Sequence, residues 1–499
     1  MEEMGLLVDA DDYYRAFYRA ASQARRYILL SGWQFDSDVA LLRGGEEEGA
    51  PHPVTLLELL SSLCESNPEL EIFVLAWDFH VVFALDREWL QDLLFLWTAN
   101  PRLRFRFDSS HVERGCHHQK FVVIDGELSF LGGLDLCDHR WDDRNHRQDN
   151  PLRVSRGAPH KPFHDVQAYL RGREVARSLR ELFMRRWERT GGDPMDLPEP
   201  EGATPFVFKD RPRNALVLSA KEVTLSRTDP YGSPDGLQNC TEIRSLYLDA
   251  ITAAERLLYI ETQYLSARSV AEALEQRMRA PGRPLLEIVL VLNMKAETFK
   301  EHVAVGLAQA QVLGRLRETA AETGHHLGVY YTVPYCEDGD EPERATYIHS
   351  KLLIVDDRFL SVGSANLTNR SLTIDTELNA SIEAERRRDA PGGSDCIRSV
   401  RAALLGEHMG GPDIDLEEGL VAHLDETAQR AAAGGCPCRL RLHPSPTKDE
   451  RATLAVIDPR KLPFDPDPLC DHAEEDRSLF VGGLGALWQH LFSNRDGAK

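Results

Sequence analysis

The chain has 499 residues, 80 acidic against 58 basic, for a net charge of −22. That length exceeds one small domain and is enough for one or two large cores. The acidic balance argues against a nucleic-acid backbone as the main partner, since such partners favour a basic face, and against long-range attraction to anionic membranes. FVLAWDFHVVFAL (73–85) is the nearest thing to a membrane-spanning run, and Asp78 and His80 break it. MEEMGLLVDADDYY lacks the basic start and apolar core of a secretory signal. Nine scattered cysteines fit a reducing compartment, and Cys436-Pro437-Cys438 reads as loop thiols because no second pair follows at zinc spacing.

In chain order, residues 8–26 have helical periodicity and YILLSGWQF (27–35) reads as a strand. A glycine-rich acidic loop (43–52), a helix (54–66), a strand (71–78), an apolar helix (87–97) and a strand (102–108) follow. Residues 190–214 are rich in Pro, Gly and acids, as a linker would be. The second half repeats the plan: helix 242–255, strand 257–265, helix 270–279, strand 285–293, helix 299–322 and strand 326–333. YILLSGWQF pairs with LLYIETQYL, and EIFVLAWD with EIVLVLNM, which implies an internal duplication. Strands alternating with helices predict an α/β fold. The expected organisation is a first half (1–195), a linker (196–214), a second half (215–412) and a tail (413–499) to which no chemistry is assigned. Within the tail, 420–434 looks helical and 455–468 extended; residues 386–397 look like a charged loop.

The chemistry gathers in two stretches of the same pattern. CHHQKFVVIDGELSFLGGLDL (116–136) holds His118, Lys120 and Asp125, then Gly132, Gly133 and Asp135. TYIHSKLLIVDDRFLSVGSANLTNRSL (346–372) holds His349, Lys351 and Asp356 at the same spacing, then Gly363, Ser364 and Asn366. Each apolar run predicts a buried strand, and His and Lys at i and i+2 share one of its faces. An imidazole can attack or protonate, an ammonium holds a phosphate oxygen, glycines allow close backbone approach, and an amide donates.

These motifs closely resemble the phospholipase D superfamily, and FLGGLDLCDHRWDD (130–143) resembles its eukaryotic-type catalytic cores. The resemblance implies two pseudo-symmetric α/β/α sandwich halves with the active site at their interface. It also implies a phosphohistidine intermediate and in-line attack, with no required metal. On that basis His118 is the expected nucleophile and His349 the acid, then base; the residues themselves leave the two roles open. Lys120 and Lys351 would hold the phosphoryl oxygens, helped by Gly132, Gly133, Gly363, Ser364 and Asn366. Asp125 and Asp356 complete the motif set and are expected to hold its turns. PFHDVQAYL (162–170) and TIDTELNASI (373–382) match the family's acid segments, so Asp165 is expected to orient His118 and Glu377 to orient His349.

Asp135 stands where the second copy has Asn and would repel a phosphate it faced. Asp135, Asp138, Asp142 and Asp143 form an oxygen-rich group able to hold Ca²⁺, which some relatives use. Histidines 117, 139, 146, 160 and 164 lack partner thiols, so no other metal site is expected. Trp33, Trp77, Phe79, Gln263 and Tyr264 are candidates to line the pocket.

The expected activity is hydrolysis of phospholipids to phosphatidic acid, with transfer to alcohols. Alternatives are a cardiolipin-synthase-like transferase, a nuclease, and a non-catalytic lipid-binding scaffold, which intact triplets disfavour. The expected partner is a phospholipid, met in transient contact with a membrane surface by a cytoplasmic monomer. No PX, PH or C2 domain fits before residue 5, so exposed apolar loops would make that contact.

Overall fold

The computed structural model describes residues 3–78, 100–112, 115–198, 212–219, 222–231, 239–295, 305–335, 344–384, 395–434, 436–445 and 465. The helix expected at 87–97, Phe79, and all of the 455–468 stretch except Asp465 lie outside them.

The α/β reading holds, and the duplication is visible in the sheets. The first sheet runs, edge to edge, through strands 216–218, 3–8, 166–171, 128–132, 121–124, 27–32, 71–77 and 103–108. The second runs through 240–241, 224–229, 377–383, 359–363, 352–355, 257–261, 287–291, 326–332 and 440–442. Seven strands correspond in the same order, from 3–8 opposite 224–229 to 103–108 opposite 326–332. In both sheets the outer three of the seven are parallel and the motif strand joins them antiparallel.

Strand periodicity separates two faces. Ile28, Leu30, Ile72 and Val74 point outward against the helices Asp9–Ala21 and Leu56–Ser66. Leu258, Ile260, Ile288 and Leu290 do the same against Glu242–Ala253, Arg268–Arg279 and Leu307–Thr323. The alternate residues, among them Leu29, Phe73, Val123 and Leu131, share one inner core with Tyr259, Val289, Ile354 and Val362 of the other half. Helices Arg173–Arg189 and Asp395–Met409 bury Leu179, Phe183, Trp187, Val400 and Leu404 in that same core. Each fully buried Leu or Phe stabilises by roughly 1.5–3 kcal/mol, so the shared core holds the two halves together.

Three elements depart from the sequence reading. Residues 3–8 form a strand to which no element is assigned from the sequence, the helical run being expected from residue 8. Strand Leu216–Leu218 extends the first sheet, although it follows the expected boundary at 215. In the tail, beside the expected helix, formed at Leu420–Ala432, strand Leu440–Leu442 closes the far edge of the second sheet against 326–332.

Candidate active site

The two motif stretches meet through their approach segments, and they cross. Tyr347 and Ile348 pair in parallel with Phe163 and His164. The His349 amide donates to the His164 carbonyl at 2.8 Å, which sets Asp165 beside the His349 ring. By the same geometry His117 bridges Thr376, and the His118 amide donates to the Thr376 carbonyl at 3.0 Å, setting Glu377 beside His118. His349 Nδ1 lies 2.6 Å from Asp165 Oδ2, and His118 Nδ1 lies 2.9 Å from Glu377 Oε2. The expected pairing is therefore corrected: Asp165 backs His349, and Glu377 backs His118. Each carboxylate serves the imidazole of the opposite half because the approach segments pair across the seam. With Nδ1–H fixed on a carboxylate, Nε2 of each ring is the free nitrogen.

The lysines sit beneath the rings. Lys120 Nζ is 3.1 Å from Asp135 Oδ2, so Asp135 holds the lysine, and it also accepts the Trp33 amide at 2.8 Å. Lys351 Nζ donates to Gln263 Oε1 at 3.2 Å and to the His349 carbonyl. Asn366 Nδ2 reaches the same Gln263 oxygen at 3.3 Å, and Gln263 Nε2 donates to the Tyr347 hydroxyl at 2.7 Å. Trp33 and Trp77 stack with centroids 5.6 Å apart, and Lys120 Nζ lies 6.0 Å from the Trp33 ring.

The small residues after each motif strand have a packing use beside the expected phosphate cradle. A Cβ on Gly133 would strike the Asp165 carboxylate, and one on Gly132 the Gln167 amide. One on Gly363 would strike Asn379 and the Leu378 carbonyl. These glycines make room for the neighbouring strand's polar side chains. Ser364 Oγ donates to Glu377 Oε2 at 2.5 Å, so it braces the carboxylate behind His118.

Burial dominates the electrostatics. It pushes the His118 imidazole well below its ordinary value, reinforced by Lys120 and Lys351. His349 is pushed the same way by burial, then Lys351, Arg140, Lys120 and His118. Each ring thus feels cations from both halves and is held neutral in the free protein. Burial lowers Lys351 to about 7. It raises Asp165 to about 6, and it raises Glu377 to about 8 with help from Asp375. An arriving phosphodiester anion would raise the two imidazoles and Lys351 again by offsetting the cations.

Asp125 and Asp356 lie at the far ends of the motif strands. Asp125 accepts the amides of Arg25, Arg26 and Tyr27 at 2.8–3.0 Å, and Asp356 those of Glu255, Arg256 and Leu257 at 2.7–2.9 Å. Both have left-handed backbone, φ 51° and 55°, a conformation aspartate tolerates. They are turn anchors and touch neither histidine's functional nitrogen. The aspartates grouped for calcium take separate partners: Asp135 binds Lys120, Asp138 Ser155, Asp142 His146 and Arg153, and Asp143 Asn150.

Sequence reasoning passed over several contributors. Arg140 acts on His349 electrostatically, and Phe163 packs on the His349 ring at 5.3 Å. Arg370 holds Asp375 at 2.6 Å, and Asp375 accepts the Cys116 amide at 2.9 Å, two residues before His118. Charged residues flanking the quoted acid segments were the available signal.

Fold and site together define a duplicated α/β protein with one composite histidine–lysine site, half from each copy. Residues 247–389 match the family model described as cardiolipin synthase, PLD-like domain. Phospholipase D alpha 1 of Oryza sativa subsp. japonica is 24% identical over 552 residues, covering 81% of this chain and 65% of that protein. Phospholipase D1 of Schizosaccharomyces pombe is 22% identical, covering 81% of this chain and 35% of that one. The chain therefore spans under two-thirds of the length of these relatives. In fold it is similar to the crystal structure of phosphatidylserine synthase from Haemophilus influenzae Rd KW20, with a TM-score of 0.52 and 15% identity over 86% of this chain and 94% of that one. Over most of its length the chain is thus similar to phospholipases D, at 24% identity or less to these two. Among the described residues, no helix is long and apolar enough to cross a membrane.

Proposed function

We propose that the chain is a phospholipase D, cleaving the head-group phosphodiester of glycerophospholipids to phosphatidic acid and transferring the phosphatidyl group to alcohols. The observation that carries this reading is the crossed pair, His118–Glu377 and His349–Asp165, each flanked by a lysine. Neutral His118 attacks phosphorus through Nε2, while His349 gives its proton to the departing head-group alkoxide. A phosphatidyl group is then bonded to His118. His349, now neutral, takes a proton from water or an alcohol that attacks from the vacated side and restores His118. Lys120 and Lys351 hold the phosphoryl oxygens as charge builds on them. Substrate prepares its own acid: the anion offsets the lysines that depress His349, and Asp165 then favours the imidazolium. His118 takes the nucleophile's role by analogy with the family, since the geometry is nearly symmetric.

The test is product analysis on mixed-phospholipid vesicles with and without a primary alcohol, in chelator and in calcium. Phosphatidic acid, diverted to phosphatidylalcohol by the alcohol, is expected. No lipid product in any condition would overturn the reading. A second reading, transfer to a lipid alcohol as in a cardiolipin synthase, is supported by the model match over residues 247–389; cardiolipin as main product would select it.

A further inference from the structure

Behind the His349 side of the site lies a second cluster that the proposed chemistry does not use. Asp9, His146, His164 and Glu407 are at most 7% exposed, and their ligand-type atoms all lie within 4.8 Å of one another. They come from both halves: Asp9 opens the first helix, His146 and His164 flank the 151–162 loop, and Glu407 lies on helix Asp395–Met409. His146 Nε2 is 3.3 Å from Asp9 Oδ2 and 3.2 Å from Glu407 Oε1. His164 Nδ1 is 3.2 Å from Asp9 Oδ1 and 2.8 Å from Glu407 Oε1.

We propose that these four side chains bind one divalent transition-metal ion, zinc above all, as a structural clamp between the halves. Zinc bonds of about 2.0–2.1 Å give tetrahedral edges of about 3.3–3.4 Å; His146 Nε2 lies 3.3 Å from Asp9 Oδ2 and 3.2 Å from Glu407 Oε1, close to such edges. Charge-assisted hydrogen bonds are shorter, about 2.7–2.9 Å, and fully buried Asp9 Oδ2, aimed at the cluster, makes no hydrogen bond. The other nitrogen of each histidine is fixed as metal-binding histidines require: His146 Nδ1 lies 2.8 Å from Asp142 and His164 Nε2 lies 3.0 Å from Glu261. Two imidazoles and two carboxylates suit zinc better than calcium or magnesium, which take all-oxygen shells. Asp9 and Glu407 balance the ion's charge, while Arg153 and Arg144 pair with Asp142 and the outer Glu407 oxygen. Four protein ligands leave no open position, so the ion takes no part in chemistry.

The clamp bears on the catalytic geometry through short links. Asp9 donates its amide to the Asp165 carbonyl at 2.8 Å and accepts the Asp165 amide at 3.2 Å. The His164 carbonyl accepts the His349 amide. The ion would therefore stiffen the segment that holds Asp165 against His349.

The full untagged chain, purified without chelator, is expected to carry about one zinc per chain by elemental analysis. Removing it with dipicolinate should lower the thermal midpoint, and Zn²⁺ alone should restore it. Cobalt substitution should give the intense visible bands of a tetrahedral site. Asp142→Asn should weaken zinc about 10–100-fold, as loss of such a partner typically does, and Asp9→Asn should abolish stoichiometric loading. Zinc content below a tenth of an equivalent after excess Zn²⁺ and desalting, with an unmoved midpoint, would overturn the proposal and leave two protonated imidazoles in the ion's place. Those readouts use wild-type protein, so a variant that fails to fold does not blunt the test, and none depends on catalysis.

Discussion

If each carboxylate serves the opposite half's histidine, then Glu377→Gln and Asp165→Asn must injure different steps. Glu377 accepts from His118 Nδ1 at 2.9 Å and from Ser364 Oγ at 2.5 Å, and it is wholly buried. Glutamine fits the same space. Its oxygen can accept from His118, and its amide can donate to Ser364 Oγ, which turns toward the Leu378 carbonyl 3.4 Å away. The fold and the ring's tautomer survive; above pH ~8, where Glu377 is ionised, the charge that stabilises a developing imidazolium is lost. Hydrogen bonds to charged groups contribute about 1.5–3 kcal/mol, which predicts a rate loss of about 10–150-fold. The assay compares phosphodiesters with a choline-like alkoxide leaving group and with a nitrophenolate, which needs no acid. Glu377→Gln should slow intermediate formation on both by a similar factor. Asp165→Asn should slow formation only from the alkoxide ester, because its partner His349 supplies the acid. The reverse pattern, or equal effects of both variants on both esters, would refute the crossed assignment.

Further outcomes follow from the same geometry. Gly133→Ala drives a methyl into the Asp165 carboxylate; it should cost about 1–3 kcal/mol in urea unfolding and copy the leaving-group selectivity of Asp165→Asn. Asp356→Ala strips an acceptor from three backbone amides and should cost about 2–3 kcal/mol, while the remaining folded protein keeps its turnover rate. Lys351 is lowered to about 7 by burial, so from there to the ordinary lysine value the unfolded chain holds one more proton than the folded one. Stability should then rise with pH across that window, and less so in Lys351→Met, as thermal midpoints would show. Inorganic phosphate re-pairs this ammonium, so titration calorimetry above pH ~7 should find proton uptake on binding, absent in the variant.

How far the sequence carries the account depends on the range of the interactions involved. Strands such as Tyr27–Gly32 and Leu257–Glu261 are legible because short, nearly unbroken apolar runs decide them locally. Strand Glu3–Val8 is not, because Leu6, Leu7 and Val8 run straight into a helix whose periodicity absorbs them. Helix Arg173–Arg189 does bury residues at helical spacing, yet its arginines mask the pattern. The motif histidines and lysines are legible as a repeated triplet. Which carboxylate serves which ring is not, because His118 and Glu377 are 259 residues apart and meet only through the pairing of the two halves. The packing use of the glycines is hidden for the same reason: an anion cradle and room for a neighbouring strand leave the same mark on a sequence.

The central claim is that one covalent intermediate forms on His118 and is resolved by His349. It is tested most directly by quenching the His349→Asn variant during reaction with a phosphorus-labelled phosphatidyl nitrophenol, whose leaving group needs no acid, and mapping the label by peptide. The account predicts an acid-labile phosphoryl group on His118, reaching about one per chain because its release is blocked. Label on another residue, or none while wild-type protein turns the substrate over, would contradict it.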